Sequence, residues 1–501
     1  MATGIDESVE VRHFKGTNDT NDKNVIVYRP LSASFRNSGK WPEKNSAGEK
    51  DSSFLYLSAF TVNLIAFVSG VGYSWTSPVV PKLRGPDNPL NAPVDDLQVS
   101  LITALLSIGG AAGPFAFGYL CDRIGRKKTL ILVAACMTVA LTILAFARDV
   151  RFYYVARFIH GVGIAGCFTA LIIYTAEITQ DHNRGKFSCI QGVFVALGFF
   201  YSYSAGPYLN VRTFCLSCLL PLQIFLIFFP LFMPESPFYL VKIGDESSAR
   251  KAIRKLHRKS AQEATQDVSK IRSFIDSAGD RKGGFRELFA TKASGKAFAI
   301  SQGLMIIQQL SGVNVVYSFL HTIFRSTQST ISAEYSSTLV SAIQVVAVLL
   351  TPTAVEKLGR KFLLLSSSIG SAVSVISLGV YFLLQRNECD VVADLWWLPI
   401  SSLFLFNVSF NIGLGRVSWT VVSEIFPTNV KSFATALAST TCSLVSFVVI
   451  FSYPVLSPRL GVPESFFVFG GCSLIGAVFI YAVIPETKGK SLPAIQELLS
   501  R

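Results

Sequence analysis

Charge is what this sequence has least of. Only 15% of its 501 residues are Asp, Glu, Lys or Arg, while half are hydrophobic and the mean hydropathy is positive. A soluble domain carries about 25% charged residues, so most of this chain has lipid as its solvent. Cysteine is scarce too: there are nine, and Cys136, Cys167, Cys189, Cys215, Cys218, Cys442 and Cys472 lie inside apolar runs. That placement excludes a disulfide framework, and none of them pairs with histidine at a metal-ligand spacing. The Cys215-x-x-Cys218 pair reads as packing. No metal site and no cofactor are expected. The chain has no phosphate-cradling Gly-x4-Gly-Lys-Ser/Thr loop, which argues against a nucleotide-driven pump. Nor does any set of nucleophile, base and metal ligands cluster at one depth, so no catalytic residue is assigned and an enzyme is not expected. The opening residues lack the apolar core of a signal peptide, and the first apolar run starts near Phe54.

What the chain does have is basic residues and long apolar runs. A formal net charge of +13 could suit nucleic acid, but the lysines and arginines fall between apolar stretches instead of forming one stripe or tail. No nucleic-acid partner is expected; the partner implied is the bilayer. With about 20 apolar residues needed per crossing, twelve spans are expected, giving an all-α membrane protein of two six-helix bundles. Residues 1–52 form a polar tail, expected to be disordered and cytosolic. Residues 53–233 form the first bundle, 234–293 a charged linker, 294–484 the second bundle and 485–501 a C-terminal tail. The even-numbered connections and the C-terminal tail hold 27 Lys and Arg residues, against 8 in the opposite connections. The excess places the first group, and both termini, in the cytosol. Within the linker, Ser247 to His257 and Ala261 to Ser273 repeat apolar and basic residues at helical spacing, which predicts short amphipathic helices; a plain solvated linker is the alternative.

The chain also says the same thing twice. Asp122-Arg123-Ile124-Gly125-Arg126-Lys127, Ala176-Glu177-Ile178 and Pro234-Glu235-Ser236 in the first half recur as Glu356-Lys357-Leu358-Gly359-Arg360-Lys361, Ser423-Glu424-Ile425 and Pro485-Glu486-Thr487, at offsets of 234, 247 and 251. Three unlike motifs that keep their order and nearly keep their spacing imply a duplicated unit. Parallel halves around a midplane site describe a secondary transporter.

Together with Gly118 to Lys128, Arg157-Phe158 with Gly161, Gly163 and Gly166, Tyr174 to Glu177 with Arg184-Gly185, and Gln308-Gln309-Leu310-Ser311-Gly312-Val313-Asn314, these motifs resemble the sugar porter family of the major facilitator superfamily, over about residues 54 to 492. Pro234-Glu235-Ser236-Pro237-Phe238-Tyr239-Leu240 is most similar to insect sugar and trehalose transporters. The resemblance implies a cytosolic salt-bridge network that stabilises the outward-facing state, here Asp122, Arg126, Glu177, Arg184, Glu356, Arg360, Glu424 and Lys431. Charge-assisted bonds between helix ends can supply such a latch; the alternative is that these charges only orient topology. The close-set glycines read as helix packing, and His160 beside them as a satisfied interior histidine.

Sugar hydroxyls both donate and accept, which suits amide side chains with an aromatic ring against the apolar sugar face. Gln308, Gln309 and Asn314 fit, since a break at Gly312 can bring them to one cavity, and three amides in a membrane helix are costly. Tyr317, Gln344 and Trp419 complete the set, with Asn411 added in the tenth span. The resemblance implies that Gln308, Gln309, Asn314, Gln344 and Trp419 contact sugar; the alternative is that they bond helix to helix. Several positions depart from the family. Relatives usually have Glu at 411 and prolines at 416 and 418, where this chain has Asn411, Arg416 and Ser418. Thr441-Cys442-Ser443 replaces a common Asn-Trp, and Gly192 takes the place of a glutamine, with Gln191 one residue out of register. Arg416 could answer an anionic substrate, pair beside Asn411, or reach a carbonyl freed by Gly413 and Gly415. Proton-coupled relatives carry an Asp after a Gly-Tyr pair in the first span; here Gly72-Tyr73 is followed by Ser74, and no acid lies between Phe54 and Val80. The expectation is facilitated diffusion of a hexose or a disaccharide such as trehalose across the plasma membrane, with no obligate protein partner. A transport-inactive sugar sensor, or a carrier of another small polar or anionic solute, are the alternatives.

Overall fold

The computed structural model describes residues 52–500 except 87, 91, 181–182, 279–284, 328–330 and 491, and leaves the side chains at 184, 286, 352–356, 428, 429 and 493 undescribed. The tail expected over residues 1–52 therefore lies, but for Ser52, outside the described residues. Regular structure among the described residues is entirely helical. Twelve helices are long and apolar enough to cross a membrane: spans 1 to 6 are Ser53–Ser74, Asp96–Ile124, Arg126–Phe146, Val150–Ile178, Gly185–Ala205 and Val211–Phe232, and spans 7 to 12 are Lys292–Arg325, Ala333–Thr351, Arg360–Arg386, Leu398–Ile425, Val430–Leu460 and Val462–Val483. The outward faces are apolar, with Leu231, Ile475, Val478 and Tyr481 each at least two-thirds exposed. In water such a surface would drive aggregation, whereas acyl chains accept it.

Among the described residues, four of the spans are broken, distorted or followed at once by a second short helix, and they are equivalent spans of the two halves. Span 1 is followed, after Trp75, by a second short helix Thr76–Leu83, and span 7 breaks at Ser311 and Gly312, where Gly312 has φ +82°. Span 4 contains a π-helical turn, Cys167–Leu171, and span 10 is interrupted between Ile412 and Val417. Irregular backbone at membrane depth is tolerated where it lines a cavity or is covered by protein, and discontinuous helices mark the sites of transporters. Both halves therefore aim their irregular segments at the centre.

Spans 2 and 4 approach through glycine. A β-carbon at Gly161 would overlap the Leu106 carbonyl, and one at Gly109 the Phe158 carbonyl; small residues let the two backbones meet. The linker carries Pro237–Lys242, Glu246–His257 and Ala261–Ala278, which bury Val241, Ala249, Ile253, Ala264 and Val268 against one another. The last two are the amphipathic helices expected there, with the second of them running beyond Ser273 to Ala278, while Pro237–Lys242 is not among those expected.

Candidate functional site

At the linker end of the bundle each half builds the same charged cage. In the first half Glu177, at the end of span 4, accepts from Arg126 Nε at 2.8 Å and Nη2 at 2.7 Å, and also from the Ser236 hydroxyl. Glu235 accepts from the backbone N–H of Arg126 and of Lys127, each at 3.0 Å, so it caps the free N–H groups that open span 3. Asp122 lies 3.5 Å from Arg126 and 3.1 Å from Lys242. In the second half Glu424 accepts from Arg360 Nη2 at 3.0 Å and from the Thr487 hydroxyl at 2.6 Å. Glu486 accepts from the N–H of Arg360 and of Lys361, again at 3.0 Å. The turn that makes this geometry is left-handed in both copies, φ +95° at Gly125 and +86° at Gly359, and glycine meets it without strain. Each of these bonds stays within one half or ties it to the linker or tail that follows it; none of those named crosses from one half to the other. Lys431 is exposed and makes no ion pair among the described residues, and the side chains of Arg184 and Glu356 lie outside the described part.

The duplicated glutamates differ in one respect. Burial pushes the Glu235 carboxyl up from its ordinary range despite the N–H groups it accepts. At Glu486 burial acts in the same sense, but N–H bonds from Lys488, Arg360, Lys361 and Thr487 outweigh it and hold the carboxyl down. A raised carboxyl contributes stability at low pH that is lost as pH rises through its folded value; a lowered one contributes stability at neutral pH that is lost as pH falls. The melting-temperature difference between wild type and Glu486→Gln is therefore expected to shrink on going from pH 7 to pH 4. The corresponding difference for Glu235→Gln is expected to move the other way, with wild type gaining on the variant. Melting of the purified full chain across that range checks the opposite signs.

The amides gather at the breaks of spans 7 and 10. Gln308 Nε2 donates to the Leu414 carbonyl at 2.7 Å and more weakly to that of Gly415 at 3.4 Å, covering acceptors that the interruption of span 10 leaves without helical partners. Gln309 donates to Cys442 Sγ at 2.9 Å and accepts from Asn314, which also donates to Ser446 Oγ at 2.7 Å. Tyr317 Oη accepts from Asn411 Nδ2 at 3.3 Å and Gln344 Nε2 at 3.4 Å. Six of the seven expected residues thus fall into two bonded groups, Gln308, Gln309 and Asn314 in one and Tyr317, Gln344 and Asn411 in the other. Trp419 is half-buried in the helix after the break and has no hydrogen bond to any of them. In this state the amides bond to protein, helix to helix.

Facing them is a wall that the sequence reading missed. Phe199 of span 5 lies 4.8 Å from the Tyr317 ring, with Tyr73 and Tyr203 stacked on it at 6.4 and 6.2 Å, and Phe410 stands edge-on to Tyr317 at 6.4 Å. The two halves are tied at mid-depth by Ser107 and Ser446, whose hydroxyls are 2.9 Å apart. Away from the linker, Thr76 donates to the Ser318 carbonyl at 3.2 Å, Ser77 accepts from the His321 N–H at 2.9 Å, and Tyr203 Oη donates to the Tyr317 carbonyl at 2.7 Å. Ser446 is detectable in sequence only as the residue one turn beyond Cys442.

A family model described as "Sugar (and other) transporter" matches residues 35–499. The chain belongs to this family. It is 28% identical over 441 residues to the facilitated trehalose transporter of Culex quinquefasciatus, covering 88% of this chain and 84% of that one. With its namesake from Anopheles gambiae the identity is again 28% over 441 residues, 88% of this chain but 55% of the relative's length. Thus the chain spans little more than half of some curated relatives. Among solved structures it is similar to the partially occluded inward open conformation of the xylose transporter XylE from E. coli, with a TM-score of 0.74 at 24% identity, covering 88% of this chain and all of that one. The proton:xylose symporter XylE bound to 6-bromo-6-deoxy-D-glucose gives 0.69 at 24% identity, covering 90% and 100%. These likenesses establish the major facilitator fold.

Two interior residues of this family member differ from expectation. His160 is fully buried against span 1, and neither ring nitrogen has a hydrogen-bond partner among the described residues, so no described side chain or carbonyl satisfies it. Arg416 neither pairs beside Asn411 nor reaches a carbonyl at the break; its guanidinium lies across span 5, where a β-carbon at Gly192 would stand 2.6 Å from Cζ. Two departures from the family thus explain each other, because the side chain missing at 192 leaves the space the arginine fills.

Proposed function

We propose that this family member is a facilitative carrier of a sugar, a hexose or a disaccharide such as trehalose, working by alternating access in the plasma membrane. The observation that carries the reading is the two-sided centre. Amides at the breaks of spans 7 and 10 can exchange their helix-to-helix bonds for sugar hydroxyls, and the Phe199 and Tyr317 rings can receive the apolar sugar face. Residues 53–233 and 294–484 act as the rocking halves, with the linker, residues 485–501 and both termini in the cytosol, as the basic excess at that end favours. The ties between halves away from the linker suit a state closed to the outside. In the opposite state Glu177 and Glu424 would meet Arg184 and Lys431 across the halves, with Asp122 and Glu356 beside them, as a latch. The relatives' description as facilitated trehalose transporters supports the substrate class.

Uncoupled movement follows from where the acids lie. Each Asp and Glu within the twelve spans stands at a helix end, so among the described residues the centre has no carboxylate to load and release a proton. Purified protein in liposomes is expected to exchange radiolabelled sugar at a rate that is the same at pH 6 and pH 8, with no proton current when sugar is added. A sugar-driven proton current would overturn uniport. Sugar binding without exchange would identify a sensor instead.

A further inference from the structure

Two arginines lie in the interior of the spans, and they are held very differently. Arg157 is fully buried and satisfied: Nε donates to the Ile102 carbonyl at 3.0 Å, Nη1 to that of Gly72 at 2.9 Å, and Cζ lies 5.4 Å from the Trp75 ring centroid. It works as a staple joining spans 1, 2 and 4. Arg416 makes no side-chain hydrogen bond or ion pair with any described residue, and its Nε is buried without a partner. The titratable side chains that reach it are Cys189 and Tyr317, neither of them a carboxylate. Among the described residues, the acids within the spans stand at helix ends, away from this break. A guanidinium inside a membrane protein needs a carboxylate, carbonyls or water, and here the protein supplies neither of the first two.

Its position gives the lack of a partner a meaning. Arg416 begins the second half of the broken span 10, the Gln308 amide holds the two carbonyls before it, and the guanidinium crosses from the second half to Gly192 in the first. Tyr317, its neighbour, is the residue on which Asn411 and Gln344 converge. Gln191, adjoining Gly192, has a second buried donor without an acceptor, its Nε2. The centre therefore holds amides for hydroxyls, rings for an apolar face, and donors with no internal acceptor. Resting on the reading that this cavity carries a sugar, we propose that Arg416 is an anion-binding residue and that the preferred solute is a sugar acid, a sugar ring bearing a carboxylate. The guanidinium fork matches a carboxylate with two parallel bonds. The other possibility is that Arg416 only fills the volume left empty at Gly192.

The test is counterflow of radiolabelled glucuronate and glucose, run in parallel on the full chain in liposomes, with wild type, Arg416→Gln and Arg416→Lys. Wild type is expected to favour glucuronate. The glucuronate-to-glucose flux ratio is expected to fall by about tenfold or more in Arg416→Gln and to fall less in Arg416→Lys, which keeps the charge but loses the two-bond fork. An unchanged ratio in Arg416→Gln, or a wild type that moves glucose alone, overturns the sugar-acid proposal and leaves the carrier reading standing. If wild type moves neither, the carrier reading fails, and direct binding decides the inference separately: glucuronate affinity lost in Arg416→Gln supports it, no glucuronate binding overturns it. Should Arg416→Gln not fold, Gly192→Ala serves in its place. Its β-carbon displaces the guanidinium without removing the charge, so the same fall in ratio is expected, and an unchanged ratio overturns the proposal.

Discussion

Arg126→Ala is expected to leave little folded protein, while Arg360→Ala, the same change in the second copy of the motif, is expected to leave most of it. Both arginines hold the glutamate that ends the fourth span of their half, but they do so at different depths. The Arg126 and Glu177 side chains are 9% and 15% exposed, and two guanidinium nitrogens reach the carboxylate. For Arg360 and Glu424 the exposures are 20% and 26%, with one bond at 3.0 Å. Removing one partner of a buried pair leaves the other charge uncompensated, at a cost of about 3–5 kcal/mol. A wetter, single-bonded pair loses roughly half of that or less, because water takes over the freed group. The yield of monodisperse protein after mild heating in detergent measures the difference. Equal losses from the two variants would show that depth does not set the strength of these cages. The variant Glu177→Gln separates charge from packing: it keeps the shape and an acceptor, so it should fall between wild type and Arg126→Ala.

Much of this architecture is legible in the residues themselves, for a physical reason. A bilayer demands about 20 apolar residues per crossing and tolerates charge only at the ends, so hydropathy and the placement of lysine and arginine fix the number of spans almost without reference to packing. The cages were readable as well, because the motif is written twice and each copy needs a glycine, an arginine and a glutamate in fixed order. Bond partners were not. Nothing in the string Glu177 to Lys431 says that the pairs close within each half in this state, since that depends on which face the halves present. The aromatic wall of Tyr73, Phe199 and Tyr203 was hidden for a different reason: in a chain where 12% of residues are aromatic, a ring facing the centre has the same sequence signature as one facing lipid. The link between Gly192 and Arg416 needed three dimensions. Each was visible as a departure from the family, yet they lie in different halves and only the fold puts one against the other.

Gln308→Leu is expected to slow sugar exchange by about tenfold to a hundredfold without unfolding the protein, and Gln309→Leu to slow it less. Gln308 sits where the break in span 7 meets the break in span 10, and its amide is the side-chain donor to the Leu414 and Gly415 carbonyls. Leucine preserves the volume and removes the donor. The buried Leu414 carbonyl then loses its partner, at a cost of about 1–3 kcal/mol, the part-buried Gly415 carbonyl loses a weaker one, and the segment from Gly413 to Arg416 can recover that cost by shifting its backbone. Such a shift moves Arg416, whose guanidinium crosses to Gly192 in the first half. Gln309 stands in a different position. It bonds to Cys442 and Asn314, both side chains, and Asn314 keeps its own bond to Ser446 when Gln309 is gone. Side chains can turn to find new partners, whereas the carbonyls of a broken helix are fixed by the chain on either side. Exchange rates normalised to folded protein in the liposomes measure the two effects. A larger loss from Gln309→Leu would mean that the amides matter chiefly as sugar contacts. A larger loss from Gln308→Leu, with folded yield unchanged, would mean that the shape of the tenth span governs the rate.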